Sequence, residues 1–485
     1  MTHSQMFRLC LTAALTSLVI SGFPSMGRAE SQPKTTTSTS VYHEDSSHLW
    51  NRLHVALFVR VGPDKQVYGQ DRFEPLLWRQ SKHLLEPVSH ARAITVLDEF
   101  LANNGEELIA SPLPRALLQR DLWMIFNWLE GTHRDFAEPK LDANAALNAQ
   151  QQLRNRIVAM LGRLTLTPAE IQSLPDNYLA AATSERFSHR FDSKHPDEPY
   201  LPADLFKDDG PWICIGRTDG ATAPQHLREE NPYTNSVFLT FIRLPRGRSA
   251  TASYVKQLID FDLPLLVQNP KKNSRRAFPL VPNPQLPQFP KGTELALVRR
   301  ALLIDSSHRV TASPLTESVQ LRTIRSDVPT LTKQVLADAA IYTTEGMRRN
   351  SEWQTFHEVR LSRIQLLTGI AGGLRAVRPD ERDFKTGFNA HMWDDFESPL
   401  RGQSFRDRSR PFTVKEQCFF CHSMPGVYSF NSFKGDFKNA MQRKDGDQSR
   451  SFPLGLLSVS DVTEAAIERR KQHPNWIALQ ELLSE

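Results

Sequence analysis

The 485-residue sequence predicts an α+β protein with a helical N-terminal region, a β-rich middle region and a mainly helical C-terminal region. Three observations carry this reading. Apolar residues recur at helical spacing between about residues 89 and 170, short β-branched runs bounded by turn residues occupy 212–325, and helical spacing returns after Asp327.

In the first region, Leu53 to Val61 is apolar and β-prone, and Gly62-Pro63-Asp64 before Val67-Tyr68-Gly69 predicts a hairpin. Ser89 precedes a helix in which Ile94, Leu97 and Leu101 share a face, closed by Gly105. Ser111-Pro112 opens another, with Leu118, Leu122, Ile125 and Leu129 at helical spacing beside Trp123, Phe126 and Trp128. Such an aromatic helix could wall a cofactor pocket, but core packing is the preferred reading. Leu153, Ile157, Met160, Leu161 and Leu164 continue the pattern, and Thr167-Pro168-Ala169-Glu170 is a capping box.

The middle region offers strands at Trp212–Gly216, Ser236–Leu244, Glu294–Asp305 and Glu317–Arg325, about five in all, in a sandwich or a barrel. The prolines between Pro264 and Pro290 speak against regular structure there. Trp353, Phe356, Leu361, Ile364 and Leu367 then mark a long amphipathic helix ending at Gly372-Gly373.

The ends and the cysteines bound the class of protein. Leu9–Ile20 is an apolar run followed by Gly27-Arg28-Ala29, which reads as a secretory signal cleaved near Ala29; an uncleaved anchor is disfavoured because the run is short. The chain then divides as signal 1–29, disordered Ser/Thr-rich leader 30–47, helical region with a hairpin 48–190, β-rich region 205–330 and helical region 331–485. No later window suits a transmembrane segment, so the expected location is periplasmic or extracellular. A net charge of +5 with only short basic clusters such as Lys271-Lys272 gives no reason to expect a nucleic-acid partner. Cys10 lies inside the signal and Cys214 inside an apolar run, where an inert core thiol is expected; three mature cysteines make no disulfide scaffold.

The other two cysteines sit in Gln417-Cys418-Phe419-Phe420-Cys421-His422. Thiols about one helical turn apart can reach both vinyl groups of one porphyrin, and an imidazole directly after the second can swing under the ring to iron. Thr413-Val414-Lys415-Glu416 is a capping box that would start a short helix over 414–423, stopped by Pro425-Gly426, with Tyr428, Phe430 and Phe433 supplying apolar area nearby. Two rival chemistries remain open. A dithiol site would follow a strand, whereas Arg401–Arg410 is charged and irregular; a structural zinc site would need a fourth ligand such as His391 or His473. For the far side of an iron, Met424 follows His422 too closely. Met441 is the leading candidate, His391, His473 and His357 are alternatives, and an open position is the remaining possibility.

Cys418 to His422 resembles the haem-binding signature of c-type cytochromes. The resemblance implies thioether bonds at Cys418 and Cys421, His422 as proximal iron ligand, one haem c, attachment outside the cytoplasm and electron transfer with an as yet unidentified redox partner. It covers five residues, and their late position departs from the small cytochromes, whose motif lies near the N-terminus, so it implies no small-cytochrome fold. Two other classes stay in view: a haem-dependent oxidoreductase with an open iron, for which no catalytic residues stand out, and a non-enzymatic envelope protein whose motif binds zinc or forms a disulfide.

Overall fold

The computed structural model describes residues 40–61, 65, 67–71, 83–130, 143–217, 235–261, 266–268, 280–283, 285–326, 354–381, 413–415, 422, 426–429 and 454–484. Residues 39–485 form one compact unit of mixed α+β class, built on a seven-stranded antiparallel sheet with helices from both ends of the chain.

The helical layer comes first in the sequence. Helix α1, Leu49–Phe58, starts where the His48 side chain accepts the Trp50 N–H, and it buries Trp50, Leu53 and Leu57 on one stripe. That stripe overrides the β reading of 53–58, and the expected hairpin is confined to β1, Arg60–Val61, paired with β2, Val67–Tyr68. Residues 40–47, read from composition as the end of a disordered leader, fold back instead: Val41 is buried, and the Val41 and Tyr42 N–H groups donate to Asn51 Oδ1 at 3.1 and 2.9 Å. Helices α2 (Pro87–Ala102), α3 (Pro112–Glu130) and α4 (Ala143–Arg163) follow. Two short helices come next: α5 (Pro168–Gln172), whose Thr167–Glu170 capping box forms as expected, and α6 (Asn177–Ala182). Every residue of α3 from Ala116 to Leu129 is buried, so this helix lies inside the protein and its aromatic rings are core.

Among the described residues, the seven main strands form one open sheet, neither sandwich nor barrel. In chain order its strands are β3 (Ile213–Arg217), β4 (Ser236–Arg243), β7 (Glu294–Ile304), β8 (Val310–Ile324), β9 (Gln354–Leu361), β10 (Leu374–Ala376) and β11 (Leu454–Leu456). Their spatial order is β10-β9-β8-β7-β4-β3-β11. Between β4 and β7 lie helix α7, Arg248–Ile259, and the two-stranded pair β5 (Leu266–Gln268) and β6 (Leu280–Pro282), which forms inside the proline-rich stretch expected to be irregular. Pro282 is the last residue of β6, a position at the end of a short strand that tolerates the missing N–H.

The long helix expected from Trp353 to Gly373 is instead β9 followed by α8, Arg363–Leu367. The C-terminal region also supplies β10 and β11 before ending in helices α9 (Val459–Lys471) and α10 (Pro474–Ser484). Gly372 and Gly373, at positive φ, turn the chain after α8. A Cβ on Gly372 would stand 2.1 Å from the Asn177 carbonyl oxygen, so α6 packs where only glycine fits.

Alternation along the strands gives the sheet two different faces. Cys214, Leu239, Phe241, Val298, Val319, Leu321 and Val359 point into the main core with α1–α6, α9 and α10. Ile213, Ile215, Ile242, Leu295 and Ile324 point the other way, into a smaller core with Tyr254 and Val255 of α7, Leu286, Phe289 and Val427. The β7–β8 register shifts beside Arg299 and Arg300. Here Glu317, buried, accepts from Ser236 Oγ at 2.6 Å and pairs with Arg299 at 2.8 Å and with Arg120 of α3. A second buried pair, Asp121–Arg363 at 2.8 Å, joins α3 to α8.

Candidate functional site: the His422 segment

The sequence singles out residues 413–429, and the described part of this stretch is tied to the rest of the fold at three points. The Val414 N–H donates to the Glu381 carbonyl at 2.9 Å, and Glu381 is itself held by both Nη atoms of Arg375 on β10 at 2.8 and 2.9 Å. The His422 carbonyl accepts from Nε2 of Gln354, the first residue of β9, at 2.8 Å. The Val427 N–H donates to Gln288 Oε1 at 3.2 Å, and its side chain is fully buried in the smaller core. Gly426, at a φ of 59°, opens a 3-10 turn over Gly426–Ser429.

His422 is therefore on the α7 side of the sheet. Its ring is buried and lies 6.3 Å from that of Phe356, tilted by 31°. Beside Phe356 on the same strand is Gln354, and opposite it on β8 is Arg322, buried, with Nη1 3.5 Å from Gln354 Oε1. A buried imidazole held through its own backbone by Gln354 and lying beside the Phe356 ring is of the chemistry an iron porphyrin uses: a histidine for the metal and aromatic surface for a porphyrin face.

The remaining members of the expected site divide into two groups. Cys418, Cys421, Met441 and His391 lie outside the described residues, as does most of the expected 414–423 helix. His357 and His473 are described, and both are on the main-core side, across the sheet from Phe356. His357 follows Phe356 on β9 and so points oppositely, with its ring edge-on to Tyr200 at 5.5 Å and 80°. Burial, together with the charge of Lys415, pushes its imidazole down to about 4. His473 sits in the turn between α9 and α10, and its Nδ1 accepts the Asn475 N–H at 3.3 Å.

Cys214 is a buried free thiol on β3, pushed up to about 12 by burial and by Asp461. This is the inert core cysteine expected from its apolar surroundings.

Gln354, Arg322 and Gln288 were not legible as site residues. Gln354 and Arg322 lie within strands and Gln288 in the loop between β6 and β7, and each reaches the motif only through the tertiary fold.

No family model, no curated protein and no solved structure matches this chain. Among the described residues, no helix is long and apolar enough to cross a membrane.

Proposed function

We propose that this is an exported electron-transfer protein carrying one haem c, covalently bound at Cys418 and Cys421 with His422 as the proximal ligand. The observation that carries the reading is the Cys418-Phe419-Phe420-Cys421-His422 spacing, because it places two thiols and an imidazole where one porphyrin needs them. The buried setting of His422 supports it. Gln354 fixes the histidine's backbone, and Phe356 keeps water from one side of the ring. Bound there, a haem would supply a one-electron iron couple.

The rest of the reading follows from export. Residues 1–29 act as a cleaved signal, the motif is loaded outside the cytoplasm, and the helical region in front of the sheet serves as scaffold or partner-docking surface. Met441 is the proposed distal ligand. An open iron position would instead make the protein a haem-dependent oxidoreductase.

The test is pyridine haemochrome analysis of exported, denatured and acid-acetone-extracted protein made with haem-attachment machinery. The expected result is a retained haem band characteristic of two thioether bonds, lost from stable double attachment in Cys421→Ala. Colourless protein, or stoichiometric zinc, overturns the proposal. A low-spin six-coordinate spectrum that converts to high spin in Met441→Ala supports the distal assignment; a wild-type high-spin centre that binds carbon monoxide selects the oxidoreductase.

A further inference from the structure

Arg470 of α9 is buried without a carboxylate against it among the described residues. Its Nη2 donates to Asn127 Oδ1 at 2.8 Å and its guanidinium carbon stands 4.9 Å from the Trp123 ring centroid, while Nε and Nη1 have no partner among the described residues. Burial alone pulls its pKa down to about 9, the cost of keeping a guanidinium charged away from water.

The bonds around it all run in one direction. Asn127 spends its oxygen on Arg470, and its Nδ2 donates to Asn235 Oδ1 at 2.8 Å, which leaves Nδ2 of the fully buried Asn235 unpartnered. His473 Nδ1 accepts from the Asn475 N–H, so its proton is on Nε2, and that nitrogen too is buried and unpartnered. Trp123 Nε1 is a fifth such group. Among the described residues, the side-chain atoms of this cluster left without a partner are all donors: Arg470 Nε and Nη1, His473 Nε2, Asn235 Nδ2 and Trp123 Nε1. A water molecule here would accept from at most two of these donors and would bring no charge, whereas an anion brings several acceptor sites and the negative charge that Arg470 lacks.

We propose that the junction of α3, the start of β4 and the α9–α10 turn is a binding site for a small anion, a carboxylate or an inorganic oxyanion, held by Arg470 with Asn235, His473 and Trp123 as further donors. The site is on the main-core side of the sheet and does not depend on what the His422 segment binds.

The test is thermal unfolding of the full exported chain, titrated separately with acetate and inorganic phosphate, with ionic strength held constant by chloride. The unfolding midpoint of the wild type is expected to rise with the logarithm of one anion's concentration, by about 3 °C at a hundred times its Kd. Arg470→Met removes the rise and, without that anion, unfolds no lower than wild type, because the variant no longer buries an uncompensated charge. Lys471→Met, one residue away on the surface, keeps it. Should Arg470→Met fail to fold, Asn235→Ala is the second variant and is expected to require at least tenfold more anion for the same shift. Acetate selects a carboxylate ligand, phosphate an inorganic oxyanion. A wild type indifferent to both, or shifts identical in wild type and both cluster variants, overturns the proposal.

Discussion

The side-chain amide of Gln354 donates to the backbone carbonyl of His422 at 2.8 Å, so the histidine of the candidate haem motif is fastened to the first residue of a sheet strand 68 positions earlier. Loss of this bond leaves a buried carbonyl without its partner. Gln354→Ala is expected to cost roughly 1–3 kcal/mol in denaturant unfolding and to lower the yield of attached haem, read by in-gel haem staining. Unchanged stability and full haem yield would remove the amide from the site.

Cys214 gives an independent count of thioether bonds. Its thiol is buried and held protonated, so it should resist a thiol-specific disulfide reagent in the folded protein. If Cys10 leaves with a cleaved signal and Cys418 and Cys421 bond to haem, as proposed, the exported chain is expected to show no reactive thiol when native and one when unfolded. Three thiols on unfolding would mean that no thioether has formed.

Glu317 of β8 neutralises two buried guanidinium groups, Arg120 of α3 and Arg299 of β7. Glu317→Gln keeps the shape and leaves both cations facing an amide. The expected loss is roughly 3–5 kcal/mol, measured as a lower unfolding midpoint. The double replacement of Glu317 and Arg120 by apolar residues of similar volume should recover part of it, because the unpaired charge is what costs.

Stability should fall on mild acidification. His54 is pushed down to about 3 by burial and the Arg363 charge, and His357 and His473 to about 4, mainly by burial. All three are neutral in the folded protein at pH values where the unfolded chain, titrating near 6.5, already binds protons. Their stabilising contribution is present above pH 6.5 and is lost as pH falls toward 4, at up to about 1.4 kcal/mol per pH unit for each group. His54→Gln should flatten the curve between pH 6.5 and 4 in urea titrations at stepped pH; an unaltered slope would assign the acid sensitivity elsewhere.

Local chemistry accounts for what could be read from the chain and for what could not. Four sheet strands stood out as apolar, β-branched runs, and α3 and the Thr167 cap as periodicity and capping chemistry, all properties of neighbouring residues. Strand β9 was missed because Phe356, Leu361 and Ile364 happen to fit helical spacing, while its polar face, Gln354, Glu358 and Arg360, is wholly or largely buried by the fold instead of lying in water. Helix α7 carried too little apolar periodicity in Ser249-Ala250-Thr251-Ala252-Ser253 to stand out. The motif was legible because its chemistry is packed into five residues. Its anchors at Gln354, Gln288 and Glu381 were not, since nothing in a linear pattern pairs positions dozens of residues apart.

Strands β10 and β11 occupy opposite margins of the sheet, and the chain between them, residues 377–453, carries the cysteine pair and His422. Six strand spacings separate those margins, roughly 29 Å. The stretch that carries the motif is thus sewn into the protein at both hems, and a single protease nick within it would leave two pieces that stay clasped together by the strands on either side of the cut.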